Sequence, residues 1–489
     1  MELSERISRG IKATFGANLL DVAANGLLIV ILARYLLTPD EYGLLYFAIS
    51  ILGVVGIFGT LGLPSSIARY VTEYTESDPT QLRYILSFSL VALVVLSGVV
   101  GLVVTLSSPF LAASLGEPDL APLLALGVGY ISLQAMRKYL SKSFQGLNRV
   151  DYSALVSSIS AVGRIVFVVA FVLLGFGVVG ALAGYVAGFF VAVATGFMIL
   201  YWKFYRGYEP TRSPEEGLRR RILEYSVPLT ATRGATVLDK QVDTILVGLF
   251  LTPAAVGFYT IAKQVSEVCI TPAQALGFTV SPAYGEQRAG NRSQQAARLY
   301  EQSLEGVLLL YVPAVVGILL VAEPMIQYVF GPEYLGSVPV LQIMSLYVLA
   351  NAINRITSDG LDFLGRARAR AIVKSITAVA NVILNILLIP TIGLVGAAIA
   401  TVITYSLYTG ANVVIIGREL PVQFRTAVRA TLGVSTVSVV MGACVYLLLP
   451  QVSGLLSLFA VIGVGVAVWA LLGTLGGLLD LRKAVTFLT

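Results

Sequence analysis

Residues 37–48 read LTPDEYGLLYFA, and residues 251–262 read LTPAAVGFYTIA. The second segment repeats the spacing of the first, Leu-Thr-Pro followed by Gly and Ala, at an offset of 214 residues. Further matches keep the same order at offsets of 217 and 216, namely 158–162 with 375–379 and 177–181 with 393–397. Three matches in one order at nearly one offset indicate a duplicated segment, so we expect a fold built from two related halves.

The composition predicts that both halves lie in a membrane. Hydrophobic residues make up 57% of the chain and charged residues 12%, and the mean hydropathy is +0.85. A soluble chain would carry about twice that share of charge. The chain has no histidine, and Cys269 and Cys444 have no ligand spacing, so we expect no metal site.

Fourteen apolar segments have the length that crosses a bilayer of ~30 Å. They predict an all-α polytopic membrane protein in which two six-helix lobes are followed by two C-terminal helices. Six is an even number, so both copies enter from the same side and the repeats are parallel. The predicted spans are 13–35, 43–66, 84–106, 119–138, 151–175, 178–202, 222–250, 254–281, 299–322, 338–358, 371–390, 393–416, 428–449 and 454–478.

The basic residues predict the orientation of these spans. Of the 33 Lys and Arg residues, 27 fall in the connections on the side of the N-terminus, and Arg34 alone falls on the opposite side. Basic residues in short loops favour the cytoplasmic side, which explains the net charge of +6 without nucleic-acid binding. We therefore expect a multi-pass protein of the plasma membrane with both termini in the cytoplasm. No cleavage site follows the first span, so we expect that helix to be retained.

A basic connection divides the chain into lobes. Residues 203–221 contain two prolines and three consecutive arginines, which favour a cytoplasmic linker. We expect an N-lobe at 1–202 and a C-lobe at 222–417. The last two spans and a cytoplasmic tail then occupy 418–489, outside the duplication.

The seventh span carries charge inside an apolar segment. Arg233, Asp239, Lys240 and Asp243 lie on one stripe about a third of the helix circumference wide. Charges at this depth are costly and normally face a bundle interior or a water-filled cavity. The span therefore predicts one wall of a polar lumen. Two local ion pairs that only lock helices together are the alternative.

The first span presents a matching polar face. Asn18, Asp21 and Asn25 share one side of the helix, and the duplication relates this span to the seventh. We therefore expect both spans to line a shared lumen. Two roles remain open for Asp21, a coupling-ion or proton site and a structural partner for a lumenal cation.

Further polar residues lie near the centres of other spans. Arg164 in span 5 has no acid in its own helix, so it needs a partner helix, a cavity or an anionic ligand. Its repeat counterpart is Asn381, with Asn385 one turn on. Two alternatives are open for Lys263 in span 8. It either faces the lumen or forms an ion pair with Glu267 at i+4.

Arg355 lies near the cytoplasmic end of span 10, where its side chain can also reach the interface. No nucleotide-binding motif of the form GxxxxGK[ST] occurs, and no connection is long enough for a large soluble catalytic domain. We therefore expect a transporter and not an enzyme, driven by an ion gradient, the membrane potential or a substrate gradient.

The segment ARYLLTPDEYGL at 33–44 resembles the opening signature of polysaccharide transporters. These are the Wzx-type lipid-linked oligosaccharide flippases of the multidrug/oligosaccharidyl-lipid/polysaccharide exporter superfamily. The resemblance implies translocation of a polyprenyl-(di)phosphate-linked glycan to the outer leaflet by alternating access. It also implies a cationic lumen, to which Arg164, Arg233, Lys240, Lys263 and Arg355 would contribute. We expect a monomer without a cofactor other than a coupling Na⁺ or H⁺, working beside glycosyltransferases or a polymerase.

Two other functions fit this chain less well. An ion-coupled multidrug/cation antiporter of the multidrug and toxic compound extrusion type is related by fold, but such proteins have twelve helices and acid-rich lumens. The acids Asp21, Asp239 and Asp243 keep this alternative open. A membrane glycosyltransferase or polymerase would need a large external loop, and no connection predicted to be external is that long.

Overall fold

The computed structural model describes residues 3–209, 214–290 and 292–477. This part of the chain contains sixteen α-helices and no strand. The helices form two compact units, residues 1–257 and 258–489. The first unit contains α1 Leu3–Ile31, α2 Pro39–Thr60, α3 Leu63–Ser77, α4 Leu82–Ser114, α5 Ala121–Ala125, α6 Gly127–Gly146, α7 Val150–Phe171, α8 Gly177–Lys203, α9 Leu218–Phe250 and the start of α10 Pro253–Ala289.

The second unit holds the rest of α10 and six further helices. Within it, α12 packs against α11 and α14, and α13 packs against α14. The last two helices pack against each other, and α15 also lies along α11. These helices are α11 Ser293–Met325, α12 Val338–Phe363, α13 Ala367–Ile392, α14 Leu394–Glu419, α15 Phe424–Leu448 and α16 Leu455–Leu475.

Ten segments of the described chain are long and apolar enough to cross a membrane, and one of them, Val150–Gly207, contains both α7 and α8. A further span is bent by 46° between Pro118–Ala125 and Gly127–Gly146. Helices α9 and α10 fall outside this set, and α9 carries the charged residues noted above. With those two helices, the described chain agrees with the prediction of about fourteen membrane helices.

Side-chain burial also fits a membrane environment. On α4, large apolar side chains such as Val95, Leu106 and Phe110 are exposed, whereas Ser89, Ser97 and Ser108 on the same helix are buried. A soluble protein would place these groups the other way round, because exposed apolar area in water is unfavourable. The outer face of α4 is therefore a lipid-facing surface.

The duplicated Leu-Thr-Pro motif has a direct structural role. Thr38 caps the N-terminus of α2 by accepting a bond from the backbone N–H of Glu41, whose carboxylate accepts a bond from the backbone N–H of Thr38. Pro39 occupies the first turn, where its missing N–H costs nothing. The motif therefore begins a membrane helix sharply after a short connection.

The two copies of the motif contact each other through their glycines. A Cβ on Gly43 would lie 1.7 Å from the carbonyl oxygen of Pro253, and one on Gly257 would lie 2.6 Å from that of Pro39. The Asp40 carboxylate also accepts a bond of 3.2 Å from the N–H of Ala254. Only a residue without a side chain allows this backbone approach. The glycine in each copy is thus explained by the crossing of α2 and α10.

Helix α9 packs on α2 and α3 within the first unit. Ser50 of α2 donates to Gln241 of α9 at 2.9 Å, and Ser66 of α3 donates to the carbonyl of Ile222 at 3.0 Å. Gly248 leaves room for the ring of Phe47, which would lie 2.6 Å from a Cβ at that position. The predicted lobes, residues 1–202 and 222–417, follow the repeat in the sequence and not the packing of the helices, and they remain a prediction.

The described end of the linker is fastened to α3. The carboxylate of Glu215 accepts hydrogen bonds from the hydroxyl of Tyr74 and from Arg221, and its backbone N–H donates to Gln81 at 3.3 Å. The hydrogen bond from Tyr74, helped by Arg221, holds the pKa of Glu215 below its usual value. The connection before α9 is therefore held in place by a carboxylate.

A cationic cluster as candidate functional site

An ion pair joins α7 to α1. The Nη2 atom of Arg164 lies 2.9 Å from Oδ1 of Asp21, although the two residues are 143 positions apart. The Arg164 side chain is only 14% exposed, whereas that of Asp21 is 53% exposed. The carboxylate can therefore be hydrated or displaced, while the guanidinium remains largely enclosed. This ion pair is the contact that a structural role of Asp21 requires, and the choice between that role and a coupling-ion site stays a prediction.

Close packing of α8 on α7 shapes the surroundings of Arg164. A Cβ on Gly188 would lie 2.6 Å from the backbone nitrogen of Arg164, so glycine allows the two helices to touch. The neighbouring residue Phe189 and Tyr185, one turn before it, then lie beside the cations. The Cζ atom of Arg164 is 5.7 Å from the centre of the Tyr185 ring, within cation–π range.

Arg137 of α6 is the second arginine of the site. Its Cζ atom lies 5.5 Å from the centre of the Phe189 ring, and its charge interacts with those of Arg164 and Asp21. The Nε–H groups of both arginines are buried and have no acceptor among the described residues. Two like charges with unused buried donors are unfavourable unless an anion accepts from them.

Two lysines on α6 extend the positive charge toward α9. The charge of Lys138 interacts with those of Arg137 and Arg233, and the charge of Lys142 interacts with that of Arg233. The lysine ammonium groups bond to neutral oxygens: Lys138 donates to Gln134 at 3.0 Å, and Lys142 donates to Gln145 at 2.8 Å. We call Arg137, Lys138, Lys142, Arg164 and Arg233 the cationic cluster.

Sequence reasoning missed three members of the cationic cluster. The predicted span 119–138 ends with Arg137 and Lys138, and the charge count assigns both of them, together with Lys142, to the cytoplasmic connection that follows. The helix instead continues to Gly146, because apolar residues such as Leu140 and Phe144 keep its next turns buried. That continuing apolar pattern is the signal in the sequence that could have revealed the longer helix.

The other predicted site residues of the first unit differ in the exposure of their side chains. Asp243 on α9 is buried, Asp239 is half-buried, and Lys240 and Arg233 are exposed. Asn25 on α1 is half-buried. The side chain of Asn18 lies outside the described part of the chain. The polar stripe on α9 thus spans different environments, and the joint lumen of spans 1 and 7 stays a prediction.

The remaining predicted residues belong to the second unit. Lys263 lies 6.0 Å from the ring centre of Tyr259 and is half-buried, as is Glu267. On α13, the buried side-chain amide of Asn385 donates to Asn381, which donates to Thr404 of α14 at 3.3 Å.

Arg355 is also half-buried, and it lies one turn before Asp359 on α12. The charges of these two residues interact. Its Nε–H has no acceptor among the described residues. The prediction that Arg355 takes part in a lumen is not tested by this contact.

The chemistry available to the cationic cluster is anion binding. The five positive charges of the cationic cluster interact with one another. Among the described contacts, Asp21 is the carboxylate that pairs with a member of this cluster. Guanidinium groups match the oxygens of phosphate, and the partial burial of Arg137 and Arg164 strengthens such bonds. Among the described residues, no group of three Cys, Asp or Glu side chains could hold a metal ion.

Comparison with known proteins agrees with this fold. The chain is 25% identical over 403 residues to the probable low-salt glycan biosynthesis flippase Agl15 of Haloferax volcanii, covering 82% of each chain. It is 23% identical over 439 residues to the lipid II flippase MurJ of Bacillus subtilis strain 168, covering 79% of this chain and 78% of that one.

Solved structures show the same architecture. A lipid II flippase MurJ in an inward closed conformation superposes with a TM-score of 0.72 at 17% identity, covering 95% of this chain and 98% of the other. An inward-facing multidrug resistance MATE family transporter of the MOP superfamily gives a TM-score of 0.67 at 18% identity, covering 84% and 94%. At such identities the likeness concerns the fold.

Family models match both copies of the duplication. A MatE model matches residues 228–387, about a third of the chain. The model described as polysaccharide biosynthesis protein matches residues 7–271, more than half of the chain, and includes every member of the cationic cluster. This chain belongs to the polysaccharide biosynthesis protein family within the MOP superfamily.

Proposed function

We propose that this protein is a flippase that carries a lipid-linked oligosaccharide from the cytoplasmic to the outer leaflet. The observation that carries the proposal is the cationic cluster, in which Arg137 and Arg164 hold buried donors without acceptors. A phosphate or diphosphate that joins a glycan to its polyprenyl lipid supplies the missing acceptors. The names of the related flippases support the same substrate class.

The head group binds by exchange with Asp21. In the described structure, the Asp21 carboxylate accepts from one N–H group of Arg164. The carboxylate is exposed enough to be hydrated by water once it separates from Arg164. The phosphate then takes the guanidinium, while Arg137 and Lys138 balance the remaining negative charge. Lys240, Lys263 and Arg355 are proposed to contact the substrate at other stages, and Asn18, Asn25, Asn381 and Asn385 to line the path of the sugars.

Transport follows alternating access and breaks no covalent bond, so the protein acts as a transporter and not as an enzyme. The energy comes from an ion or substrate gradient, with Na⁺ or H⁺ as the coupling ion. Asp21, Asp239, Asp243 and Glu267 are the carboxylates proposed to sense that ion.

The proposed setting is the plasma membrane, with both termini and the linker in the cytoplasm and the protein acting as a monomer. Glycosyltransferases or a polymerase of the same pathway would supply or consume its substrate. A single cysteine introduced next to Pro214 tests the orientation. We expect impermeant thiol reagents to label it only after the inner face is opened, and labelling from outside intact cells would reverse the topology.

A cation antiporter is the second candidate, because the MatE model matches residues 228–387. The two functions predict opposite preferences for charge. A lumen that binds phosphate attracts anionic lipid head groups, whereas an antiporter of this kind would bind cationic drugs through its acids.

Reconstitution distinguishes the candidates. Proteoliposomes are loaded either with a fluorescent polyprenyl-diphosphate oligosaccharide or with a cationic dye, and movement across the bilayer is measured. We expect movement of the lipid-linked sugar and a loss of that movement in Arg137→Gln protein. Arg220→Gln is the matched control, since Arg220 is exposed and paired with Glu224 at 2.6 Å, outside the cluster. Transport of the dye without the lipid would establish the antiporter instead.

A further inference from the structure

A second group of arginines lies at the end of the first unit that is predicted to be cytoplasmic. Arg219, at the start of α9, has its Cζ atom 5.4 Å from the ring centre of Tyr84 and 5.6 Å from that of Phe88 on α4. Arg83, next to Tyr84 on α4, lies 4.8 Å from the ring centre of Tyr205. Both guanidinium groups are therefore held against aromatic rings.

The same ring system continues to a third arginine. Tyr205 lies 6.1 Å from Tyr201, Tyr201 lies 5.8 Å from Trp202, and Arg206 lies 5.3 Å over the Trp202 ring. A hydrogen bond of 2.8 Å between Ser87 of α4 and Tyr205 fixes the two segments to each other. We call Arg83, Arg206 and Arg219 the interfacial arginines.

The interfacial arginines differ from their neighbours in lacking acidic partners. Within the part of the chain that the structure describes, none of the three forms a salt bridge with a carboxylate. Other arginines near this end of the unit do, namely Arg149 with Asp151, Arg220 with Glu224 and Arg221 with Glu215. The patch therefore keeps three positive charges that local acids do not neutralise.

The patch adjoins a lipid-facing surface. Along α4, the exposed side chains of Val91, Val95 and Val99 continue away from Tyr84 and Phe88, and on α8 the exposed Met198 precedes Tyr201 and Trp202. Tryptophan, tyrosine and arginine collect at the depth of the lipid head groups, because one part of each side chain is apolar and the other polar. The interfacial arginines thus lie where lipid phosphates are found.

We propose that the interfacial arginines bind the phosphate of an anionic phospholipid of the cytoplasmic leaflet. The guanidinium fork matches phosphate oxygens, and the ring contacts restrict the arginine side chains before binding, which lowers the entropy that binding must remove. The exposed valines accept the acyl chains. The ligand is a resident phospholipid and not the glycan carrier, since the patch continues directly into the exposed apolar side chains of α4 and α8.

The test compares lipid binding to the purified full-length protein in neutral detergent. Phosphatidylglycerol or phosphatidylcholine is added in steps, and bound lipid is counted by native mass spectrometry. We expect wild-type protein to retain phosphatidylglycerol selectively. Arg206→Gln should bind it roughly tenfold more weakly, in keeping with one charge-assisted hydrogen bond. The triple variant of all three arginines to Gln should lose the selectivity.

Arg220→Gln again serves as the control, because it changes the net charge by the same amount nearby. It should keep its affinity within about twofold of wild type. Should the triple variant fail to fold, Arg206→Gln carries the test, since Arg206 is exposed and lies over the Trp202 ring.

Equal lipid selectivity in wild type and Arg206→Gln would overturn the proposal, as would an equal loss in Arg220→Gln. Polyprenyl phosphate is added as a competitor, and preference for it over phosphatidylglycerol would reject the phospholipid assignment. The result is independent of the flippase function, because Arg206→Gln leaves the cationic cluster intact.

Discussion

Replacement of Arg164 by alanine is the sharpest test of the cationic cluster. The change removes the guanidinium that links α7 to Asp21 and whose charge interacts with that of Arg137. If the residue only locks helices together, the main effect will be on stability. If it binds a phosphate head group, the main effect will be on substrate affinity.

The exposure of the two partners separates these outcomes. Asp21 is 53% exposed, so its carboxylate is hydrated again once Arg164 is removed. The lost ion pair should therefore cost no more than about 1 kcal/mol of unfolding free energy. The Arg164 side chain is 14% exposed, and a charge-assisted hydrogen bond from such a group contributes roughly 1.5–3 kcal/mol. We expect head-group affinity to fall about ten- to a hundredfold.

The assay measures binding of a polyprenyl-phosphate head group to protein in nanodiscs, together with the thermal midpoint of unfolding. Arg164→Lys should restore binding only in part, because lysine keeps the charge but loses the planar fork. Arg149→Ala is the matched control, since Arg149 forms an equally short ion pair with Asp151 at the start of α7. Affinity within about twofold of wild type in folded Arg164→Ala protein would refute the anion-binding mechanism.

Three further predictions concern other parts of the fold. Gly43→Ala should destabilise the protein by roughly 1–3 kcal/mol, because the new Cβ meets the backbone oxygen of Pro253. Gly53→Ala on the same helix is the control. Its Cβ has open space, so the thermal midpoint of unfolding should be unchanged or raised. Asp21→Asn should abolish gradient-driven transport in proteoliposomes while head-group binding is retained or tightened; equal loss of binding and folding would make Asp21 purely structural. The lowered pKa of Glu215 means that its bonds stabilise the docked linker above the usual glutamate range and are lost as the pH falls through the lowered value. The protection factors of the amides at residues 215–217, which are corrected for the intrinsic pH dependence of exchange, should accordingly fall on acidification, and unchanged protection would contradict this role.

Several features were accessible from the sequence because their signals are local or periodic. Apolar length gave the membrane spans, and the repeated Leu-Thr-Pro motif gave the duplicated architecture. The placement of Arg164 inside an apolar helix marked it as a residue that needs a partner. None of these inferences requires knowledge of which helices touch.

The membership of the cationic cluster depended on tertiary structure. Basic residues at the end of the predicted span 119–138 are assigned to the following connection by charge, whereas α6 continues to Gly146. The pairing of Arg164 with Asp21 joins residues 143 positions apart, and the meeting of Gly43 with Pro253 joins two copies of one motif. The sequence alone determined the fold class, the duplication and the need for a counter-charge. Which charges and backbones meet was decided by helix packing. A contact between two helices produces no periodic pattern in the sequence of either helix, so the sequence does not reveal it.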